Sequence, residues 1–179
     1  AEYGVGGGIV WDSDAGNEYR ECLVKSEVLT AERQRFDLLE TLLWDGAKGY
    51  FLLEEHLVRL AGSATYFGFA ADLGKVRDHL RGLEKEMGSV AHKVRLLVSK
   101  NGAITVRAEP LSRPDPARPW RLALAEEPVD SSNPYLYHKT TNRLVYDRAR
   151  ESWPRHDDVI LVNGYGEVTE STIANVVIE

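Results

Sequence analysis

The sequence predicts an α+β protein, because strand-like and helix-like segments follow one another in the order ββααββ. Apolar runs at 36–44 and 50–53, separated by Asp45-Gly46 and Gly49, are typical of a hairpin. The chain has 179 residues, of which 43% are hydrophobic, so it is long enough to bury a core.

Two helices are predicted after this hairpin from the spacing of apolar residues. They cover 54–67 and 75–87. Each pattern stops at a glycine, Gly68 or Gly88, and glycine commonly follows the last turn of a helix. An earlier run of good helix formers, 18–35, predicts a further helix before the hairpin.

A second strand pair completes the first predicted domain. Apolar and charged residues alternate over 94–98, and 104–108 pairs naturally with this segment across Asn101-Gly102, a dipeptide typical of tight turns. The first domain is therefore predicted to span 36–110 and to consist of one sheet with two helices.

A proline-rich stretch predicts an exposed linker at 111–119. Four of the seven prolines fall between residues 110 and 119. The second domain, 120–179, is predicted to contain few elements: strands at 120–125, 159–162, 168–169 and 175–178, and a helix at 142–153. Because the last strand runs to residue 179 and little is left to cover its sheet, we expect this domain to be incomplete.

Composition and charge favour a small-molecule enzyme. The net charge is −6, with 22 basic and 28 acidic residues spread along the chain, so we expect no nucleic-acid or anionic-membrane surface. No stretch approaches the roughly 18 apolar residues of a membrane helix, and residues 1–8 do not resemble a signal peptide. The single cysteine, Cys22, cannot form an internal disulfide. These features predict a soluble cytoplasmic protein.

Three polar residues are candidates for a functional site, although each also has an ordinary explanation. Lys139 lies where loops present side chains to clefts, yet most lysines are solvated surface charges. Glu170 ends a short strand, and acids are common in exposed hairpin connections. Arg59 borders the apolar stripe of helix 54–67, where an arginine can pack its stem and leave its head free.

Other motifs argue against a nucleotide or metal site. The glycines of 4–8 lack the Gly-Lys-Ser/Thr ending of a P-loop, and they lead into a strand where a dinucleotide fingerprint opens a helix. His79, His92 and His156 have no metal-ligand spacing. His138 taken alone is more typical of a structural histidine than of a catalytic one.

Three segments together resemble the class IV pyridoxal-phosphate (PLP) enzymes, which include branched-chain and D-amino acid aminotransferases and 4-amino-4-deoxychorismate lyase. The segments are Phe36-Asp-Leu-Leu-Glu-Thr with Leu53-Glu-Glu-His-Leu-Val-Arg-Leu, His138-Lys-Thr-Thr-Asn-Arg-Leu, and Asp157-Asp-Val-Ile-Leu-Val-Asn through Val168-Thr-Glu-Ser-Thr-Ile-Ala-Asn-Val. The resemblance covers 36–179 and implies the two-domain α+β fold of the D-amino acid aminotransferases, with the second domain incomplete. It also implies a homodimer.

The resemblance implies a role for each candidate residue. Lys139 forms the Schiff base with PLP, because a lysine amine gives an exchangeable imine. Glu170 pairs with the protonated pyridine nitrogen and so favours the electron-accepting form of the ring. Arg59 binds the phosphate, which a guanidinium matches bidentately. In the family, the part of the domain after the Glu170 motif supplies further phosphate contacts.

The residues after the lysine bear on the reaction. Asn142-Arg143-Leu144 looks more like the lyase than a branched-chain aminotransferase, which typically has Asn-Tyr and a cofactor-contacting tyrosine at the place of Leu144. D-amino acid aminotransferases also carry an asparagine at the place of Asn142. The motif favours the lyase and leaves the aminotransferases as alternatives.

The N-terminal residues indicate a neighbouring activity. Residues 3–26 resemble the final stretch of aminodeoxychorismate synthase component I, in which glycine-turn amides face a chorismate carboxylate and a helix glutamate, here Glu21, helps to hold Mg²⁺. The rest of that domain is absent, and a junction near 30–35 fits a fusion, so 1–35 is predicted to be a synthase tail. Such a synthase implies a glutamine amidotransferase subunit as partner.

Three hypotheses follow. The first is a 4-amino-4-deoxychorismate lyase within a fused p-aminobenzoate synthase, which releases pyruvate and p-aminobenzoate for folate. In the implied mechanism the substrate amine displaces Lys139 from PLP, and the freed lysine removes the C4 proton as general base. The second is a class IV amino acid aminotransferase of the D-amino acid or branched-chain type. The third is a catalytically silent fragment.

Overall fold

The computed structural model describes residues 14–16, 19–20, 35–112 and 118–177. Among these residues, no helix is long and apolar enough to cross a membrane. The chain divides into two compact units, Ala1–Arg35 and Phe36–Glu179, and the elements below belong to the second. In the first unit, residues 15–16 and 19–20 are helical. Residues 18 and 21–34 of the predicted helix, with Glu21 among them, and the glycine-rich turn lie outside the described residues. Arg35, the last residue of that prediction, has no regular secondary structure.

A four-stranded antiparallel sheet with two helices forms the first half of the second unit. Its elements are β1 (Leu38–Asp45), β2 (Gly49–Tyr50), α1 (Leu53–Phe67), α2 (Leu73–Met87), β3 (His92–Val98) and β4 (Ile104–Pro110). The strand order is β2-β1-β3-β4. The predicted ββααββ order and the α+β class are confirmed. Strand β2 is shorter than the predicted 50–53, because the chain turns after Tyr50 into α1.

The core lies between one face of this sheet and the two helices. Residues with the same parity along a strand point to the same face, and in β1 the even-numbered residues from 38 to 44 are all buried. The core contains Leu38 and Leu42 of β1, Val94 and Leu96 of β3, Leu57 and Leu60 of α1, and Val76 and Leu80 of α2. Glu40 lies in the same buried row and is the polar member of it.

Local sequence decides where the helices begin and end. Helix α1 ends at Gly68, whose φ of 65° lies in the left-handed region that favours glycine. Helix α2 begins at Leu73, two residues before the predicted start, because the Asp72 carboxylate accepts hydrogen bonds from the N–H groups of Gly74 and Lys75.

A three-stranded sheet forms the second half of the unit. Its elements are β5 (Leu122–Leu124), a 3₁₀ turn (Pro134–Leu136), α3 (Leu144–Ser152), β6 (Asp158–Val162) and β7 (Val168–Ser171). The order is β5-β6-β7, with β5 parallel and β7 antiparallel to β6. The strands and the helix predicted at these positions are found.

The strand predicted at 175–178 is wrong over 175–177, which have no regular secondary structure; residue 178 lies outside the described part. Side-chain hydrogen bonds turn the chain after β7 instead. The Oγ of Ser171 donates to the carbonyl of Ala174 over 2.8 Å and accepts from its N–H over 3.1 Å. The N–H of Ile173 donates to the buried carboxylate of Asp158 over 3.3 Å.

Backbone hydrogen bonds join the start of β1 to the segment that carries Lys139. The N–H of Leu39 in β1 donates to the carbonyl of Lys139 over 3.0 Å, and the N–H of Thr141 donates to the carbonyl of Asp37 over 2.9 Å. The start of β1 therefore fixes the backbone that carries the lysine. The predicted linker at 111–119 is described only at its ends, and the division into domains there stays a prediction.

Candidate active site

A cleft of about 540 Å³ opens beside the junction of the two sheets. Its lining includes all three residues that the sequence proposes for the site, namely Lys139, Glu170 and Arg59. They come from the segment before α3, from β7 and from α1. The volume falls within the range of roughly 300–1,000 Å³ that is typical of small-molecule sites.

Hydrogen bonds to β1 fix the backbone of Lys139. Its side-chain amine forms no hydrogen bond or salt bridge with a described residue. Burial lowers the pKa of this half-buried amine below its usual range. The positive charges of Arg59 and Arg143 lower the pKa further, while the negative charges of Glu40 and Glu170 oppose them. A lower pKa increases the share of neutral amine, which is the nucleophilic form.

Arg59 is fixed by the carboxylate of Glu40. Its Nε donates to Oε1 of Glu40 over 2.8 Å, and its Nη2 donates to Oε2. The Glu40 side chain is 1% exposed, whereas that of Arg59 is 46% exposed. Hydrogen bonding to Glu40 raises the pKa of Arg59 above its usual value, so the guanidinium stays charged. Its Nη1 bonds to no described residue and is available to a ligand.

Glu40 also contacts His56, and it was not among the predicted site residues. The Nδ1 of His56 lies 2.7 Å from Oε2 of Glu40 and 3.1 Å from Nη2 of Arg59. A buried carboxylate is costly unless it is paired, and here two side chains of α1 pair with it. A signal for Glu40 exists in the sequence, because it occupies a core position between Leu38 and Leu42.

Glu170 receives a hydrogen bond from a tyrosine of α3. The hydroxyl of Tyr146 donates to Oε1 of Glu170 over 3.0 Å. Burial raises the pKa of Glu170 above its usual range, while the Tyr146 hydrogen bond and the charges of Lys139 and Arg143 act to lower it. Burial also raises the pKa of Tyr146, so the phenol stays protonated and can donate.

Side chains at the start and along one side of α3 face β7 and the turn after it. Arg143, Tyr146 and Arg150 are spaced so that they share this side. The guanidinium carbon of Arg143 lies 4.4 Å from the centre of the Tyr146 ring, and its Nη2 donates to the carbonyl of Thr172. The Nη1 of Arg150 donates to Oγ1 of Thr172 over 3.3 Å. Tyr146 was not among the predicted residues; helical spacing after the lysine motif could have indicated it.

A buried carboxylate fixes the turn after β7 in the lining of the cleft. Asp158 accepts hydrogen bonds from the N–H of Thr172 over 3.1 Å and from that of Ile173 over 3.3 Å. Burial acts to raise the pKa of Asp158, but hydrogen bonds from Thr172, Ser171 and the backbone hold it below its usual range. The charged carboxylate thus keeps 171–175 in place beside Glu170.

His138 has a structural environment although it lines the cleft. Its Nδ1 lies 3.0 Å from Oγ of Ser63, and its ring stacks on Tyr66 at 4.4 Å between centroids. In the described ranges, no group of three or more His, Cys, Asp or Glu side chains is arranged to hold a metal ion. Glu21, the predicted Mg²⁺ ligand, lies outside those ranges.

Comparison with known proteins identifies the family. Residues 37–179 match the sequence model of the family described as Amino-transferase class IV. A curated protein of Schizosaccharomyces pombe, provisionally named aminodeoxychorismate lyase, is 35% identical over 146 residues. The match covers 78% of this chain and 61% of that protein, so the chain spans less than two thirds of this relative.

Solved structures share the fold. The crystal structure of a provisionally named amino-acid aminotransferase from Mesorhizobium loti matches with a TM-score of 0.70 and 35% identity, over 77% of this chain and 67% of that one. A hypothetical aminotransferase from Mycobacterium tuberculosis, solved with α-ketoglutarate and PMP bound, matches with a TM-score of 0.64 and 23% identity, over 80% and 58%. The chain belongs to the class IV aminotransferase family of PLP-dependent enzymes.

Proposed function

We propose that this member of the class IV aminotransferase family binds PLP and acts as the cofactor-holding part of a 4-amino-4-deoxychorismate lyase, which releases pyruvate and p-aminobenzoate. The meeting of Lys139, Arg59 and Glu170 in one cleft supports the proposal most directly. The Asn142-Arg143-Leu144 motif and the name of the yeast relative favour the lyase over the aminotransferases.

The three side chains match the three polar groups of PLP. The amine of Lys139 suits the aldehyde, the carboxylate of Glu170 suits the pyridine nitrogen, and the guanidinium of Arg59 suits the phosphate. When bound, PLP supplies an electron-accepting ring. Because Arg59 is tied to Glu40 through Nε and Nη2, its Nη1 is the group that we assign to the phosphate.

Lys139 has two tasks in this proposal. It first holds the cofactor through Nζ, and its lowered pKa favours the neutral amine that this requires. With PLP and substrate bound, the same Nζ would be placed to accept the proton from C4 of the substrate as a general base. In the ligand-free protein, burial and the charges of Arg59 and Arg143 lower the pKa of this amine, and the neutral amine is the form that can accept a proton.

Positive side chains around the cleft suit an anionic substrate. Besides Arg59 and Lys139, which are assigned to PLP, Arg95 and Arg143 line it, and Glu170 is the one carboxylate among the described lining residues. Arg95 is exposed on β3, and no described residue forms an ion pair with it. 4-Amino-4-deoxychorismate carries two carboxylates, so its charge complements this lining.

We also propose, on sequence resemblance alone, that residues 1–35 are the tail of an aminodeoxychorismate synthase domain. Glu21 would then be a Mg²⁺ ligand of that domain, and a glutamine amidotransferase subunit would be its partner. A fusion of this kind places the enzyme that makes the substrate beside the enzyme that consumes it. A homodimer and a cytoplasmic location belong to the same proposal.

Reductive trapping tests the cofactor assignment. The protein is incubated with PLP, reduced with borohydride and digested, and the modified lysines are located by mass spectrometry. We expect the peptide with Lys139 to carry the cofactor, and the Lys139→Ala variant to carry none there. Modification of exposed lysines such as Lys75, with none at Lys139, contradicts the assignment.

Product analysis tests the reaction. We expect the full-length protein to release pyruvate and p-aminobenzoate from 4-amino-4-deoxychorismate. Transfer of an amino group to a 2-oxo acid without pyruvate supports the second candidate, an amino acid aminotransferase, which the 35% identity to the Mesorhizobium loti protein favours. Attachment of PLP without either product supports a catalytically silent fragment.

A further inference from the structure

A side-chain hydrogen bond between Tyr146 and Glu170 links α3 to the carboxylate that lines the cleft. It is the only such bond to this carboxylate in the described part of the chain. The phenol donates to Oε1 over 3.0 Å. Tyr146 is 8% exposed and Glu170 is half-buried, and both line the cleft. The second oxygen, Oε2, has no hydrogen-bond partner among the described residues.

We propose that Tyr146 is a positioning residue for the cofactor: its hydroxyl holds one oxygen of Glu170 and thereby presents the other oxygen to the pyridine nitrogen of PLP. The inference rests on the proposed function, because it needs PLP in the cleft. A carboxylate with both oxygens unbound can rotate, whereas one anchored at Oε1 keeps Oε2 in a single direction.

Arg143 holds the tyrosine ring in the orientation that this role needs. Its guanidinium lies over the ring of Tyr146 at 4.4 Å, and its Nη2 donates to the carbonyl of Thr172, two residues after Glu170. Arg143 therefore links the start of α3 to the residue that follows β7, next to the phenol. Movement of the ring away from Glu170 would disturb its contact with the Arg143 guanidinium.

The hydrogen bond also opposes the effect of burial on Glu170. Burial raises the pKa of this carboxyl, and the Tyr146 phenol is the largest of the contributions that lower it. A protonated carboxyl is a weaker partner for a protonated ring nitrogen than a carboxylate. Loss of the phenol is thus expected to reduce the share of cofactor that is protonated at its ring nitrogen.

Nitrogen NMR of the bound cofactor tests the inference. The full chain is loaded with PLP labelled with ¹⁵N in the ring, and the ¹⁵N chemical shift, which reports protonation of that nitrogen, is followed against pH. We expect the nitrogen to lose its proton at a lower pH in Tyr146→Phe than in the wild type, and PLP to bind roughly tenfold more weakly. The control is Tyr50→Phe, which removes a hydroxyl that donates to the carbonyl of Leu80 away from the cleft.

A double-mutant cycle separates a direct effect from a general disturbance. In a Glu170→Gln background, Tyr146→Phe should cause no further change in the nitrogen titration. If Tyr146→Phe fails to fold, 3-fluorotyrosine at position 146 replaces it, and the stronger donor should move the titration to higher pH. An unchanged titration in a folded variant overturns the role of Tyr146 while PLP remains on Lys139. Absence of PLP from the wild type overturns the proposed function itself, and the inference with it.

Discussion

Arg59 binds Glu40 through two nitrogen atoms, and the two side chains differ greatly in exposure. Glu40 is 1% exposed and Arg59 is 46% exposed, so the pair extends from the core to the cleft. It joins α1 to β1 one residue after Leu39, whose N–H holds the backbone of Lys139. Loss of Arg59 is therefore expected to affect both folding stability and ligand binding.

Replacement of Arg59 by methionine should destabilise the protein in the absence of any ligand. The Glu40 carboxylate would remain buried with only His56 as partner. We expect the free energy of unfolding in urea to fall by about 2 kcal/mol, which is less than the roughly 3–5 kcal/mol of fully buried pairs, because Arg59 is partly solvated.

Arg77→Met provides a matched control for this prediction. Arg77 also binds a glutamate through two nitrogens, with Nη1 and Nη2 donating to Glu54 over 2.6 and 2.7 Å, but the Glu54 side chain is 67% exposed. Solvent can replace this partner, so we expect a much smaller change. Equal losses in the two variants would show that burial of Glu40 does not matter.

The reactivity of Lys139 should depend on Arg143. The positive charge of Arg143 is one of the causes that lower the pKa of the Lys139 amine, after burial and Arg59. In Arg143→Gln the pKa should rise, and acylation of Lys139 by an amine-reactive reagent should have its midpoint at higher pH. The measurement is the mass-spectrometric yield of the modified Lys139 peptide against pH.

Arg148→Gln, at an exposed position on α3, is the control for the reactivity experiment and should leave the Lys139 midpoint unchanged. Removal of a positive charge should raise the pH midpoint of Lys139 acylation. A lower midpoint in Arg143→Gln than in the wild type would therefore contradict the prediction.

Lys139→Met should stabilise the ligand-free protein at neutral pH. The folded-state pKa of Lys139 lies below its ordinary value of 10.5, so folding disfavours the charged form. The wild-type free energy of unfolding is therefore reduced at every pH at which Lys139 is protonated in the unfolded chain. This reduction disappears as the pH rises toward about 10.5. Urea unfolding at pH 7 and pH 9.5 should therefore show a larger gain for the variant at pH 7. Lys48→Met, which removes a lysine at an exposed position, is the control variant.

Gly102→Ala should destabilise the β3–β4 hairpin, whereas Gly82→Ala should not. Gly102 has a φ of +84°, and a Cβ there would lie 2.2 Å from the carbonyl oxygen of Ala70. We expect a loss of about 2 kcal/mol. Gly82 lies in α2 with nothing within 4 Å of its Cβ position, so alanine should add up to about 1 kcal/mol through helix propensity. Thermal unfolding of both variants checks the contrast.

Local patterns made most of the fold predictable. The two helices beside the first sheet were predicted from the spacing of apolar residues and from the glycines at 68 and 88. Both signals involve residues within one or two helical turns of each other. Side-chain competition for backbone groups was harder to predict. Ser171 and Asp158 bind the backbone after β7, and they turn an apolar segment that has the composition of a strand.

The sequence by itself determined the order ββααββ, because periodicity is a property of neighbouring residues. It also proposed Lys139, Arg59 and Glu170 as the site, through the resemblance of the motifs around them to those of a known family. Only the tertiary structure decided which side chains support that set. Glu40 and Arg59 are 19 residues apart, and Tyr146 and Glu170 are 24 apart. Such pairs meet because a helix packs on a particular strand in a particular register. A polar side chain needs its partner only once it is buried, and that burial exists only after the packing has formed.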